Sequence, residues 1–412
     1  MGRSQFGEPP GYLDFARFGS VSADVSDTLV RAARAVRNQG WEALTRFEAR
    51  AADTARAGAA LLGAAEHEIA FVSSTSHGLF AAAQALRGPG TVLVTRTDFP
   101  AAVYPWLRAA ERGGLTVRMM DGPVTADVVL AHLDDDVRAV SVCAVDSVTG
   151  FRTPLAEIKE LIGPRRVFVV DAVQALGAVD IAADAADVLV CGGQKWLRSG
   201  WGAALLLVRD RVADLLEPGL GGWSGVRDPL DGHDHPLPAL PGAVAHTVTN
   251  PDGPAVDALG AGLDLVLGVG IGQIAGLITE VLASLLDAAR GRRRNGRRDR
   301  ERDRPAAAAR GRSGRRAPDT DRGRPRHDPA RRLDPALAAR EHELAGGGPA
   351  RRHIAGRPAQ RRPGGLTRRR LRQRKPRVCE ASSKTDGRPA GRFHTRTAEI
   401  FGSSESCPVG QV

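Results

Sequence analysis

Short apolar runs and helix-spaced apolar patterns alternate along the chain from about residue 30 to residue 215. Asp27 to Ala65 is alanine-rich with apolar residues at helical spacing, which predicts one long helix or two. Ile69-Ala70-Phe71-Val72 reads as a strand and leads into Ser73-Ser74-Thr75-Ser76, a cluster of residues that favour helix N-caps. A helix is predicted to follow over residues 79–86. Further strands are predicted at 91–95, 117–120, 137–142, 167–170, 188–191 and 203–208, and two closing helices at 254–267 and 271–289. Alternation of this kind implies an α/β fold with a mostly parallel sheet flanked by helices. Val167-Phe168-Val169-Val170 and Val188-Leu189-Val190-Cys191 are apolar throughout, as strands buried on both faces should be.

In such sheets ligands bind beyond the carboxyl ends of the strands. Thr75, Ser76, Ser147, Asp171 and Lys195 each follow a strand-like segment, so they are expected on one rim. Lys195 is chemically conspicuous. Residues 1–290 hold two lysines, Lys159 and Lys195, against 22 arginines. Lys159 lies in Pro154-Leu155-Ala156-Glu157-Ile158-Lys159-Glu160, which reads as the exposed face of a short helix. Lys195 instead follows a buried strand through the tight link Gly192-Gly193-Gln194. Arginine is the default base here, so this position calls for an amine, which can lose its proton and form a Schiff base.

Asp171-Ala172-Val173-Gln174-Ala175-Leu176-Gly177 and Cys191-Gly192-Gly193-Gln194-Lys195-Trp196-Leu197, with Arg198-Ser199-Gly200-Trp201-Gly202 behind, resemble the class V aminotransferase superfamily. That superfamily of pyridoxal-phosphate (PLP) enzymes includes cysteine desulfurases, isopenicillin-N epimerase-like proteins and kynureninases. The resemblance covers about residues 10–290 and implies the large domain of an aspartate-aminotransferase-type PLP-dependent transferase. It implies that Lys195 holds PLP as a Schiff base and later moves protons at the substrate α-carbon. Asp171 would face the pyridine nitrogen and keep it protonated. A carboxylate about 4 Å from that cation, at an effective dielectric near 20, contributes roughly 4 kcal/mol, or about three pKa units.

By the same resemblance Gln174 would bond the phenolic oxygen, and Ser147 stands where relatives place an asparagine near it. Thr75 and Ser76 at a helix start, with Gln194, would hold the phosphate. Phe99 would stack on the ring. Asn250 resembles a segment that reaches the phosphate of a neighbouring subunit, implying a homodimer. Arg17 lies in a segment that lines the substrate side and could pair a carboxylate. His77 reads more simply as a helix-start histidine, and Trp196 and Trp201 as packing around the glycine loop.

The implied activity is PLP chemistry on a small-molecule amino acid: epimerisation, β-elimination or transamination. Cysteine desulfuration is the alternative, but desulfurases carry a nucleophilic cysteine in a small C-terminal domain. Cys379 and Cys407 lie in surroundings with no claim to that role. The four cysteines, with Cys143 and Cys191, show no metal-ligand spacing, and a reducing cytoplasm is the natural setting. No unbroken run of about 18 apolar residues occurs, so no transmembrane helix is expected, and no signal peptide either.

Charge divides the chain. Of its 58 basic and 47 acidic residues, 34 and 13 fall in 291–412, leaving 24 and 34 in 1–290. The first part is therefore acidic, and the net +11 belongs to the tail. The expected organisation is a PLP-binding large domain over 1–270, a helix over 271–290, and an arginine-rich segment from 291 that cannot bury enough apolar surface to order itself. Read as an evolved arm, that tail would suggest a different class, a non-catalytic nucleic-acid binder. Arginine, glycine, proline and alanine all have GC-rich codons, however, and the join falls inside a helix rather than a linker. The tail is therefore expected to be an out-of-frame reading of the lost small domain. Translating the underlying DNA in its other two frames should reveal an α/β pattern past codon 290; its absence from both frames refutes the shift.

Overall fold

Every strand predicted above is present in the computed structural model, which describes residues 4–230 and 235–302, with side chains through Arg290. All fall within one compact unit. The strands are β1 (Ile69–Val72), β2 (Gly90–Thr95), β3 (Leu115–Met120), β4 (Val137–Cys143), β5 (Val167–Asp171), β6 (Val188–Gly192) and β7 (Ala204–Val208). They form one seven-stranded sheet in the order β1-β7-β6-β5-β4-β2-β3. β7 runs antiparallel to both of its neighbours, and the other pairings are parallel. The carboxyl ends of β1, β2, β4, β5 and β6 consequently share one rim.

Helices cover both faces. They are α1 (Ala23–Gln39), α2 (Glu42–Leu62), α3 (Thr75–Ala85), α4 (Pro100–Glu111), α5 (Ala126–Leu130), α6 (Leu155–Ile162), α7 (Gly253–Val269) and α8 (Ile271–Arg302). Along β5, Phe168 and Val170 enter one core layer with Ile158 of α6 and Leu259 of α7. Val167 and Val169 enter the other, with Leu79 of α3 and Trp106 of α4. This alternation explains the uninterrupted apolar run: both faces of the strand are buried. The long helical pattern from Asp27 resolves into two helices, α1 and α2, broken at Gly40.

One expectation is corrected. Lys159 is not on an exposed face: its side chain is 18% exposed, and its Nζ donates to Asp187 Oδ2 at 2.6 Å. Asp187 is fully buried and also accepts from Arg211 Nε at 2.7 Å and from the Phe168 amide at 2.7 Å. The lysine thus clamps α6 to the segment entering β6. By length and composition alone, helix α8 over Ile271–Arg290 also meets the requirement for crossing a membrane. Polar residues interrupt the run, so a search for unbroken apolar sequence misses it. The backbone of α8 continues past 290 to Arg302, since arginine is a good helix former. The expected disorder and frameshift beyond 302, and Cys379 and Cys407, lie outside the described residues.

Asp187→Ala would leave Lys159 and the Phe168 amide without their buried partner. It should lower stability by about 3–5 kcal/mol, measured by urea denaturation. An unchanged midpoint would show that the pair does not tie α6 to the sheet.

Candidate active site

Parallel pairing puts the two conspicuous residues side by side. Asp171 ends β5 and lies in register with Val190 of β6 on one side and Cys143 of β4 on the other. β6 continues to Gly192, and the loop to Lys195 is drawn tight by Gly193 N donating to the Ala203 carbonyl at 3.1 Å and Ser199 N to the Gly193 carbonyl at 2.9 Å. Both functional groups are shifted toward neutrality. Burial raises the Asp171 carboxyl to about 6; the Val173 amide, donating to Oδ1 at 2.9 Å, and the charge of Lys195 only partly offset it. Burial likewise lowers the Lys195 amine, with Asp171 opposing. An amine desolvated in this way is closer to its nucleophilic form.

A polar cradle sits beside the lysine. Ser74 caps α3, its Oγ accepting from the His77 amide at 3.2 Å, so the first amides of the helix point outward at the end of β1. Thr75 is buried, and its Oγ1 accepts from the Gly192 amide at 3.0 Å, which pins the helix start to the end of β6. A Cβ at Gly192 would meet Thr75 Oγ1 at 2.8 Å and the side-chain oxygen of Gln194 closer still. Glycine is required there because the hydroxyl and the amide converge on that point. Ser76 is exposed at the helix start. His77 is bonded locally to Ser73 at 3.1 Å. Phe99 follows β2 with its ring 57% exposed and 5.8 Å from Lys195 Nζ.

The remaining candidates are placed less centrally. Gln174 is already engaged: its Nε2 donates to the Ala16 carbonyl at 2.8 Å, and its Oε1 accepts from Trp196 Nε1 at 3.0 Å. Ser147 is half-buried after β4. Asn250 is exposed just before α7, and Arg17 is exposed in a turn of the N-terminal segment. Among the described residues no group of three or more His, Cys, Asp or Glu could hold a metal ion.

Sequence reasoning missed a strap. Residues 5–20 lie across the lysine loop, with Phe15 stacked on Trp196 at 5.9 Å and Phe18 on Trp201 at 4.3 Å. The Gly19 amide donates to the Gln194 carbonyl at 2.9 Å, and Gly19 approaches the Lys195 carbonyl so closely that no side chain would fit. Arg198, at φ 53°, pairs with Glu8, lies 3.4 Å from the Phe6 ring and donates to the Ser20 carbonyl at 2.8 Å. Burial lowers its guanidinium to about 10. The aromatic residues clustered at 6–18 were the available signal. Asp98, beside Phe99, was also missed; burial raises its carboxyl, against neighbouring Cys143 and Thr95 groups.

These features match a known family. The model of the class-V aminotransferases matches residues 18–295, and the chain belongs to that family. It is 35% identical over 224 residues to a kynureninase of Deinococcus radiodurans, across 52% of this chain and 53% of that protein. The chain thus spans about half the length of that relative. The apo cysteine desulfurase from Thermococcus onnurineus NA1 shares its fold with a TM-score of 0.58 at 22% identity, over 67% of this chain and 73% of that one. A C-DES variant with glycine covalently linked to its PLP cofactor aligns with a TM-score of 0.57 at 19% identity, over 62% and 71% of the two chains. The fold is that of the PLP-dependent transferase large domain, as the sequence implied.

An ordinary aspartate titrates at 3.8, but Asp171 in the folded chain does so at about 6. The folded state therefore binds the proton more tightly, and stability falls as pH rises through that window, by about 3 kcal/mol. Asp171→Asn should then stabilise the cofactor-free protein at neutral pH and give no gain below the unfolded value. Urea titrations across pH check this, and an Asn variant less stable than the parent at neutral pH overturns it.

Proposed function

We propose that the chain binds PLP covalently through Lys195 and uses it on an amino-acid substrate, in epimerase, lyase or aminotransferase chemistry. The observation that carries this reading is the desolvated Lys195–Asp171 pair beside the cradle of Thr75, Gly192 and Gln194. The residues fit the group. The cradle offers a hydroxyl, an amide side chain and a helix N-terminus suited to a phosphate. Membership of the class-V family supports the reading, as do the PLP in the C-DES neighbour and the kynureninase likeness.

When bound, PLP supplies an electron sink that stabilises negative charge at the substrate α-carbon. Asp171 would pair as a carboxylate with the protonated ring nitrogen, and its burial removes the water that would otherwise screen that attraction. The amine of Lys195 would move the proton at the α-carbon. Phe99 would cover one ring face and exclude water. Gln174 could reach the phenolic oxygen only by exchanging one of its present partners, Ala16 or Trp196. Asn250, exposed at the entry to α7, is available to a second copy in a homodimer.

Cysteine desulfurase is the second reading, favoured by the Thermococcus structural likeness. Cys143 and Cys191 do not supply the nucleophile it needs. Both are free and buried, and burial pushes their thiols upward, away from the reactive thiolate. The nucleic-acid alternative rests on the tail, which lies outside the described residues.

Purified protein mixed with PLP should develop near-ultraviolet or visible absorbance, and borohydride reduction should fix the cofactor's mass on Lys195. Lys195→Ala should lose both. The same spectrum in that variant would refute the assignment, and sulfide release from cysteine well above turnover of other amino acids would favour the desulfurase reading.

A further inference from the structure

The turn between β2 and α4 carries Phe99 with few bonds of its own. Phe99 stands at the N-cap of α4 but makes no side-chain cap, and its ring is 57% exposed. On the helix side its carbonyl accepts from the Ala102 amide at 2.8 Å. On the strand side the Asp98 amide reaches the Thr95 carbonyl only at 3.4 Å. A ring that lies 5.8 Å from Lys195 Nζ therefore needs a further anchor in the turn.

Asp98 supplies that anchor. Pairing of β2 with β4 ends at Val94 and Ser141, while β4 runs on to Cys143. β4 overhangs its neighbour there, and the Asp98 carboxylate takes the place of the missing strand. It accepts from the Cys143 amide and thiol and from the Thr95 hydroxyl. A neutral acceptor would satisfy the amide alone, whereas a carboxylate has lone pairs for all three donors. Cys143 is itself held from the other side. Its carbonyl accepts from Thr153 Oγ1 at 2.7 Å, and it pairs in register with Asp171 of β5. The turn is thus tied to the strand that adjoins Asp171. Asp98 is half-buried and Phe99, next in sequence, is exposed, so anchoring the first leaves the second turned toward the lysine.

We propose that Asp98 is a positioning residue of the candidate active site: by tying the β2–α4 turn to the end of β4, it holds the Phe99 ring beside Lys195, where that ring meets the cofactor. The proposal rests on the PLP reading for what the ring covers. Asp98 acts through Phe99.

A double-mutant cycle on cofactor retention tests this. The full chain is loaded with PLP and its dissociation constant is read from the near-ultraviolet or visible band, while borohydride reduction and mass analysis locate the cofactor on Lys195. Phe99→Ala should weaken retention about tenfold, the upper worth of one aromatic ring contact. Asp98→Ala should weaken it by up to about fivefold. The double variant should lose no more than Phe99→Ala does, because no ring is left to position. An anchor that served the sheet alone would cost the same with or without the ring. Unchanged retention in Asp98→Ala, or losses that add in the double variant, overturns the proposal. Circular dichroism checks that each variant folds. If Asp98→Ala does not, the cycle is run with Asp98→Asn, which keeps the shape and one acceptor, and the same two outcomes overturn it. A parent protein without cofactor on Lys195 would overturn the PLP reading and this proposal together, whereas a loaded parent with additive losses overturns this proposal alone.

Discussion

Burial of the Asp171 carboxylate at the end of a central strand is the constraint around which the site is arranged. At 4% exposure it keeps one amide donor and a partial offset from Lys195, too little to replace its hydration. Parallel pairing fixes its neighbours: β4 delivers Cys143 and β6 delivers the lysine loop, each from a strand buried on both faces. The carboxylate is held by the sheet, and the backbone of the lysine loop by its bonds to Ala203 and Ser199. Such preorganised, energetically costly placement is a recurrent mark of functional sites.

The loop that carries Lys195 depends on two further devices. Glycines at 192 and 193 let the cradle and the Ser199 side chain close upon the backbone. The N-terminal strap then lies over the loop through backbone contact at Gly19 and the Arg198 cluster. Arg198 accepts a left-handed backbone that a long side chain rarely adopts, a cost that its Glu8, Phe6 and Ser20 contacts help to offset. The strap and the sheet thus hold the lysine from opposite sides.

Much of this was legible in the sequence because its signals are local. β5 and β6 announce themselves as apolar runs, and their following residues, Asp171 and Lys195, carry the chemistry. Thr75 was readable from a cluster of capping residues, and the same hydroxyl chemistry serves cap and cradle. What stayed hidden was non-local. The Lys159–Asp187 pair joins residues 28 apart, and no periodicity marks a lysine that reaches inward. Gln174 reads as a ligand from its motif, yet its two bonds go to Ala16 and Trp196, partners set by the irregular strap. Asp98 was overlooked because its neighbour Phe99 draws attention, whereas the burial of Oδ2 is a tertiary fact.

Helix α8 shows how one hydropathy average can hide two different physical situations. A membrane span is apolar all round, whereas a helix with one buried face separates its residues. Ile274 packs on the core, and Leu277, Val281, Leu282, Leu285 and Leu286 follow at helical spacing on the same side. Gln273, Glu280, Ser284 and Asp287 occupy the other. The leucines are about half exposed, so the stripe begins in the core of the described unit and runs beyond it. The family match also continues through this helix to residue 295. Within the described residues the stripe stands as a one-sided apolar face, which sets this helix apart from a span that is apolar all round.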